Sequence, residues 1–187
     1  MLTTFSVYPY SRGSIHITGP NASDPVNFRT GFFADALGLD IKKHVWAYKK
    51  QREIVRRMRT YRGEIVGSHP PFASSSEAAP VEGLDGPLPD DVPDIWYTPE
   101  DDAILERWLR ENVTTTWHSL GTCKMAPLET GGVVDANLSV YGVRGLKVAD
   151  LSMAPENVGA NTANTAMTIG EKAAEIFIKE LGLDTTA

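Results

Sequence analysis

The sequence predicts a chain of mixed α and β structure, and three observations indicate this class. Residues 14–18, SIHIT, alternate apolar and polar side chains with the period of a half-buried strand. Residues 38–60 and 98–112 carry apolar side chains at helical spacing. A third helix is predicted to begin near Asn161, after a mostly apolar segment at 146–152 that is typical of a short strand.

The composition is that of an ordinary globular chain with one domain or slightly more. Of its 187 residues, 42% are hydrophobic and 22% are charged, and the formal net charge is −6. We expect no nucleic-acid partner, because the charge is negative, and no membrane partner, because no apolar run is long enough to span a bilayer. The N-terminus resembles no secretory signal, and the single cysteine, Cys123, excludes an intrachain disulfide.

The strand at 14–18 is expected to bury Ile15 and Ile17 and to expose His16 on its polar side. The following residues, GPNASDP at 19–25, have the chemistry of a turn. The strand is therefore predicted to end before residue 19.

The first predicted helix, 38–60, is amphipathic and basic on its outer face. Asp40 is predicted to be its N-cap. Its apolar face, with a gap at Arg52, consists of Ile41, Val45, Tyr48, Val55 and Met58. We interpret the lysines and arginines as a solvated face, and binding of residues 42–59 to an anionic surface is the alternative.

An acidic segment, 63–97, follows this helix and is rich in proline, serine and glycine. It is predicted to be a long irregular loop, which in a compact domain indicates a functional or mobile segment. Its carboxylates are expected to screen the basic helix. His69, which lies inside the loop, is assigned no role.

The second helix, 98–112, has a strong start signal. Thr98 is predicted to be the N-cap, Pro99 the first helical residue, and Asp101 the partner of Thr98 in a capping box. Its predicted buried face consists of Ile104, Trp108 and Leu109.

The last part of the chain combines a strand, a loop and a helix. The segment LKVADLS, 146–152, ends its strand at Asp150, and the helix begins near Asn161 and stops at Gly182, its C-cap. The buried face of this helix is predicted to be Ala166, Ile169, Ala173, Ile176 and Phe177. Such a helix N-terminus favours an anion or a cofactor, and the alternative is a capped helix that only packs on a sheet.

The segment TTTWHSLGTCKM, 114–125, joins β-branched residues to a histidine and a glycine turn. Its three threonines favour extended backbone, and Gly121 permits a turn. His118 is therefore predicted to lie where a stiff segment ends, at the wall of a cavity. A surface histidine or a satisfied core histidine is the alternative.

Three segments carry a family resemblance: YPYSRGSIHITGP, WHSLGTCKM and VVDANLSVYGVRGLKVADLSMAPENVGANTANTAMTIGEKAAEIF. Together they resemble the C-terminal portion of the glucose-methanol-choline (GMC) oxidoreductases, a family of flavoenzymes, over nearly the whole chain. SRGSIHITGP, DIKKHVWAYKKQREI, WHSLGTC and NVGAN look most like the fungal alcohol (methanol) oxidases of that family.

The resemblance implies an α+β fold. Residues 1–132 would form most of a substrate-binding region, an antiparallel sheet backed by helices, and residues 133–187 would add the last strand and helix of the FAD-binding domain. The family's G-x-G-x-x-G fingerprint does not occur in this sequence. The N-terminal Rossmann-like half is therefore expected to be absent, and the chain to be a fragment, a truncated product or one part of a split enzyme.

The resemblance also implies partners and a location. The missing FAD-binding half is the expected protein partner, and a homo-oligomer follows by family analogy. The protein is expected to be intracellular. Its C-terminus, LDTTA, does not resemble the Ser-Lys-Leu address, so a peroxisomal location follows from family analogy alone.

The resemblance implies roles in the reaction for three residues. His118 falls at the catalytic histidine, which takes the proton of the alcohol while a hydride leaves its carbon. Asn161 falls at the second residue of the catalytic pair and would orient the alcohol oxygen. Trp117 would form an apolar wall of the substrate site, which favours a short alcohol.

The resemblance places FAD against the last third of the chain. Ala149 and Asp150 would touch its ribityl and phosphate portion. Asn161, Thr162 and Ala163 lie at the helix start that faces the pyrimidine side of the flavin, where the helix dipole stabilises the reduced form. No metal ligand is predicted.

The implied activity is the oxidation of short primary alcohols to aldehydes, with O2 reduced to H2O2. Two alternatives stay open. One is a GMC dehydrogenase or an oxidase of larger alcohols, such as aryl alcohols or sugars. The other is a non-catalytic remnant, or a partner subunit, that does not bind flavin alone.

We predict that the isolated chain is colourless after purification, because the half that cradles the flavin phosphates is expected to lie outside it. The chain is incubated with FAD, free FAD is removed by gel filtration, and the absorbance spectrum of the protein fraction tests this. A stoichiometric yellow flavin spectrum would contradict the prediction.

Overall fold

The structure is a computed structural model that describes residues 3–183. Its elements are β1 (Ser14–His16), β2 (Asn27–Arg29), α1 (Leu39–Arg56), α2 (Pro99–Asn112) and α3 (Ala163–Glu180), with short 3₁₀ helices at Val66–Ser68, Leu128–Thr130 and Leu151–Met153. This combination of helices with a short antiparallel sheet confirms the α+β class. Within the described range, no helix has both the length and the apolar character that a membrane crossing requires.

The chain divides into two compact units. The first, called the helical unit, contains the described residues up to Gly13 and Thr30–Thr114, and includes α1 and α2. The second, called the C-terminal unit, contains Ser14–Arg29 and the described residues from Thr115 onward, and includes β1, β2 and α3. The predicted division into a substrate-binding region, 1–132, and a flavin-domain part, 133–187, concerns a whole enzyme and stays a prediction.

The strands β1 and β2 form an antiparallel hairpin in which Ile15 lies opposite Phe28. The alternation at 14–18 therefore predicts the strand correctly, and His16 is exposed as predicted. The predicted burial of the apolar side is wrong for this chain, because Ile15 is 45% exposed, Ile17 84% and Phe28 61%. A two-stranded sheet with an uncovered apolar face is marginally stable by itself.

The N-terminus of α1 is capped by a residue other than the predicted Asp40. The backbone amides of Leu39 and Asp40 donate to the carboxylate of Asp35, at 2.5 and 3.2 Å. Asp40 instead lies buried inside the first turn, where its carboxylate accepts from the amides of Tyr10 and Ser11. The prediction fails because Gly38 is the N-cap residue and Asp35 supplies the carboxylate for the first amides, while Asp40 serves a distant segment.

The helix α2 begins as predicted. The Thr98 hydroxyl accepts from the Asp101 amide at 3.1 Å, and the Thr98 amide donates to the Asp101 carboxylate at 3.0 Å. Leu105 is its fully buried residue. The predicted face around it is half-buried and consists of Ile104, Trp108 and Leu109.

The core of the helical unit is built partly from the acidic loop. Phe72 and Ala78 of the loop pack with Leu105 of α2. The segment 63–97 is irregular, as predicted, but its role is structural, because it supplies core side chains. The expected screening of the basic helix is confirmed at Arg57, which pairs with Asp94 at 2.5 Å, and at Arg52, which pairs with Glu64.

Arg52, the gap in the predicted apolar face, forms a buried ion pair with Glu64 of the loop. The side chains are 4% and 7% exposed, and two bonds of 2.7 and 2.6 Å join guanidinium and carboxylate. The remaining guanidinium nitrogen donates to the carbonyl of Ala78 and the hydroxyl of Tyr97, at 2.8 and 2.9 Å. Residue 52 therefore belongs to the buried face, with its charge fully partnered.

His69 also has a structural position that the sequence does not reveal. Its Nδ1 lies 2.7 Å from the Tyr48 hydroxyl, and its Nε2 lies 4.0 Å from the Glu64 carboxylate. Burial lowers the pKa of His69, and the field of Glu64 offsets only part of this effect. Burial raises the pKa of Tyr48, so its hydroxyl stays protonated beside the imidazole.

Replacing the buried carboxylate should strongly destabilise the chain. Glu64→Gln leaves the Arg52 guanidinium buried without its counter-charge, and we expect a loss of about 3 kcal/mol or more in the free energy of unfolding. The matched control, Glu106→Gln, removes an exposed pair with Arg110 and should cost less than about 1 kcal/mol. Urea unfolding measures both, and equal losses would contradict the assigned role.

The stability of the chain should fall as the pH drops below the ordinary histidine pKa of about 6.5. The pKa of His69 is lowered in the folded state, so below that pH the unfolded chain binds a proton that the folded chain does not. His69→Gln should reduce the decrease in the free energy of unfolding between pH 7.5 and pH 5.5, a range that brackets the ordinary histidine pKa of about 6.5. The exposed-site variant His16→Gln should keep the wild-type slope in urea titrations, and identical slopes for all three proteins would refute the assignment.

Candidate functional site

The helix α3 forms one side of the candidate site, and its ends agree with the predicted ones. It begins at Ala163, whose amide donates to the Asn161 side-chain oxygen at 3.0 Å. Beyond its last residue, Gly182 adopts a φ of 63°, and the amides of Gly182 and Leu183 return to the carbonyls of the last turn. Gly182 is therefore confirmed as the C-terminal cap, in a Schellman arrangement.

The segment after His118 lies directly against the residues that follow Asp150. The amides of Gly121, Cys123 and Met125 donate to the carbonyls of Leu151, Ser152 and Met153, at 3.4, 2.8 and 2.7 Å, respectively. This backbone pairing places two of the three resembling sequence segments side by side.

The predicted strand at 146–152 is largely wrong. Its first half forms a single bridge, between Lys147 and Ser139. At Asp150 the chain turns into the 3₁₀ helix Leu151–Met153, because the Asp150 carboxylate accepts from the Ser152 amide at 2.7 Å. A side chain that satisfies a nearby amide in this way competes with strand pairing.

A cleft of about 480 Å³ lies where these segments meet. Its walls come from the residues after His118, from the turn at Asp150 and from the first turn of α3: Ser119, Leu120, Thr122, Ala149, Asp150, Leu151, Ser152 and Ala166. The structure thus brings Ala149 and Asp150, two of the predicted cofactor residues, together with the neighbours of the predicted base.

Five members of this wall were not predicted from the sequence: Ser119, Leu120, Thr122, Leu151 and Ser152. Each lies within four positions of a residue that was singled out, so nearness along the chain is the signal that could have found them. Their side chains alone carry no distinctive pattern.

The remaining predicted site residues do not line the cleft. Ala163 and Asn161 are exposed at the start of α3, and Trp117 is 83% exposed. Thr162 is only 3% exposed and is therefore enclosed by this chain. His118 is half-buried and directly precedes the cleft residue Ser119. The roles assigned to these residues stay predictions.

The polar groups at the start of α3 can serve a ligand. The first amides of a helix lack intrahelical partners and carry the positive end of its dipole. The Asn161 oxygen is occupied by the Ala163 amide, and within residues 3–183 the Asn161 Nδ2 has no hydrogen-bond acceptor. It therefore remains able to donate.

The backbone before His118 is strained. Trp117 adopts a φ of 59°, in the left-handed region, which costs a residue with a Cβ about 1–2 kcal/mol. Such strain persists where the surrounding structure imposes it, and it is frequent at functional sites. Gly121 has a φ of 83°, which confirms the predicted turn. The threonine run 114–116 forms no strand in the described structure.

The imidazole of His118 has no hydrogen-bond partner among residues 3–183. It is half-buried. This position does not match a core histidine whose nitrogens are satisfied by the protein. Over the same range, no group of three or more His, Cys, Asp or Glu side chains could hold a metal ion.

A sequence model of the family described as GMC oxidoreductase matches residues 9–170. The chain belongs to this family. The matching model describes the C-terminal domain of GMC oxidoreductases, so both the family and the fold expected from the three segments are confirmed.

The chain is similar to the alcohol oxidase of Pichia angusta, with 42% identity over 222 aligned residues. The alignment covers 95% of this chain and 33% of the relative, so the chain spans about a third of the length of that relative. The 222 aligned positions exceed the 187 residues of this chain. The relative therefore carries internal segments that this GMC chain lacks.

Solved structures share the fold. A FAD-dependent oxidoreductase from Chaetomium thermophilum superposes with a TM-score of 0.62 and 26% identity, over 93% of this chain and 26% of that chain. A fungal aryl-alcohol oxidase superposes with a TM-score of 0.60 and 28% identity, over 94% of this chain and 24% of that one. Both likenesses extend over nearly the whole GMC domain described here.

The strain at Trp117 predicts that glycine at this position gives a more stable chain than alanine. Trp117→Gly should be about 1 kcal/mol more stable than Trp117→Ala, because glycine adopts positive φ without a steric cost. The indole is exposed, so both variants lose the same small amount of packing. Urea unfolding of the two variants measures the difference, and an alanine variant as stable as the glycine variant would show that no strain exists.

Proposed function

We propose that this chain is the C-terminal part of a FAD-dependent alcohol oxidase that acts on short primary alcohols. In this reaction the alcohol loses a proton and a hydride to give an aldehyde, and O2 takes up two electrons and two protons to give H2O2. The observation that carries the proposal is the 42% identity to an alcohol oxidase over 95% of the chain.

The residues around the cleft fit a bound FAD. Ala149 and Asp150 would contact its ribityl and phosphate portion, since both line the cleft. Asn161 and Ala163 would face the pyrimidine edge from the positive end of α3. Thr162 is the N-cap residue, makes no side-chain hydrogen bond to the helix and is enclosed by this chain, so we assign it no contact with the flavin. FAD, when bound, accepts the hydride from the alcohol carbon.

The proton of the alcohol would go to the imidazole of His118. No hydrogen bond to a residue in the described part of the chain competes for this side chain. Asn161 would donate from its Nδ2 to the alcohol oxygen and fix its direction, while its own oxygen stays on the Ala163 amide. An amide does not accept the proton, so the two residues have different tasks. The exposed indole of Trp117 would form an apolar wall.

The flavin-binding remainder of the enzyme is the proposed partner. The apolar face of the β1–β2 hairpin supports this, because Ile15, Ile17 and Phe28 are exposed in this chain. A relative three times as long has residues that can cover such a face. We propose that the remainder packs there and supplies the phosphate-binding half of the FAD site.

An oxidase of aryl alcohols is the second candidate. The likeness to a fungal aryl-alcohol oxidase favours it, but the identity is 28%, against 42% for the alcohol oxidase. Flavin reduction by methanol, ethanol and benzyl alcohol separates the two candidates. A large preference for benzyl alcohol would replace the first proposal with the second.

In the flavin-loaded enzyme that contains this chain, His118→Ala should slow flavin reduction by roughly two to four orders of magnitude, the usual effect of one positioned acid-base group. Rapid mixing with alcohol, followed by flavin absorbance, measures the rate. His44→Ala, in the helical unit, is the matched control and should keep the wild-type rate. An unchanged rate in His118→Ala would remove His118 from the mechanism, and an assembly that binds no FAD would favour the non-catalytic remnant.

A further inference from the structure

The backbone that leads to His118 is held by a single hydrogen bond. Within residues 114–120, the amide of Trp117 is the only backbone group that forms a hydrogen bond to another residue of the described chain. It donates to the Thr115 hydroxyl at 2.9 Å. On the far side of His118, the chain is fixed by three backbone bonds that begin at Gly121. The segment that carries the imidazole is therefore firmly anchored at one end and lightly anchored at the other.

This one bond coincides with the strained residue. Trp117 has a φ of 59° and an indole that is 83% exposed, so side-chain packing does not impose the conformation. A threonine hydroxyl that accepts from the amide two residues later closes a small turn, and this local bond can stabilise an otherwise unfavourable backbone. Thr115 is itself half-buried, which limits the movement of its hydroxyl.

We propose that Thr115 is a positioning residue for His118: its hydroxyl holds Trp117 in the left-handed conformation and thereby sets the direction of the imidazole. This inference rests on the proposed function of His118. Without the bond, Trp117 relaxes towards negative φ, and the peptide that joins it to His118 rotates. The imidazole of His118, which directly precedes the cleft residue Ser119, then points in another direction.

The neighbouring threonine cannot replace Thr115 in this role. Thr116 immediately precedes Trp117, so it lacks the two-residue spacing that the turn requires. It is exposed and has no side-chain partner among the described residues. Thr116→Val is therefore a matched control for Thr115→Val, since both replace a threonine hydroxyl with a methyl group one position apart.

The turn is tested in the 187-residue chain without flavin. Amide hydrogen exchange of Trp117, followed by NMR of protein with ¹⁵N-labelled tryptophan, should accelerate about tenfold in Thr115→Val, because a hydrogen bond of ordinary strength is lost. Thr115→Ser retains the hydroxyl and should exchange at the wild-type rate, as should Thr116→Val. Unchanged exchange in Thr115→Val, or equal acceleration in Thr116→Val, would overturn the proposal.

The effect on His118 is tested in the flavin-loaded enzyme. Thr115→Val should lower the rate of flavin reduction about tenfold with little change in the KM for alcohol, the pattern of an interaction that matters in the transition state. Thr115→Ser should restore the rate. If Thr115→Val accelerates amide exchange at Trp117 but leaves the rate of flavin reduction unchanged, the proposal that Thr115 positions His118 is refuted. If His118→Ala also leaves the rate unchanged, the proposed function fails, whereas a slow His118→Ala enzyme isolates the failure to Thr115.

Discussion

The buried pair of Arg52 and Glu64 is the interaction on which the helical unit depends. The guanidinium satisfies the Glu64 carboxylate, the carbonyl of Ala78 and the hydroxyl of Tyr97 at once. It also lies 5.8–5.9 Å from the ring centres of three aromatic residues, Tyr48, Phe72 and Tyr97. An apolar residue at position 52 would leave a buried carbonyl and a buried carboxylate without a partner. One charged side chain therefore allows an irregular segment to serve as part of a core.

Elements with local signals are predictable from the sequence. The start of α2 depends on Thr98 and Asp101, which are three positions apart, and the end of α3 depends on Gly182 and its neighbours. Asp40 and Arg52 are misread for the opposite reason. Their partners lie as far as 30 and 45 residues away in the sequence, at Tyr10 and Tyr97, and a periodic pattern does not reveal which distant group a buried charge will meet.

The candidate site is predictable to a similar extent. The resemblance selects His118, Ala149 and Asp150, and the structure places the last two in one cleft with the residues that follow the first. The strand expected at 146–152 does not form fully, because the Asp150 side chain caps a 3₁₀ turn. The bond between Thr115 and Trp117 was also not predictable, since a threonine run favours extended backbone and gives no sign of a left-handed residue beside it.

The β1–β2 hairpin has a consequence for the cell that makes this chain. Both strands are edge strands, since the two-stranded sheet has no other neighbour in the described structure. Unpaired edges next to exposed side chains such as Ile17 and Phe28 are templates for pairing with other chains. A copy whose hairpin stays uncovered would be prone to strand exchange and aggregation, and so to capture by chaperones and proteases. If the proposed FAD-binding remainder covers this hairpin, its supply would control how much of this chain survives.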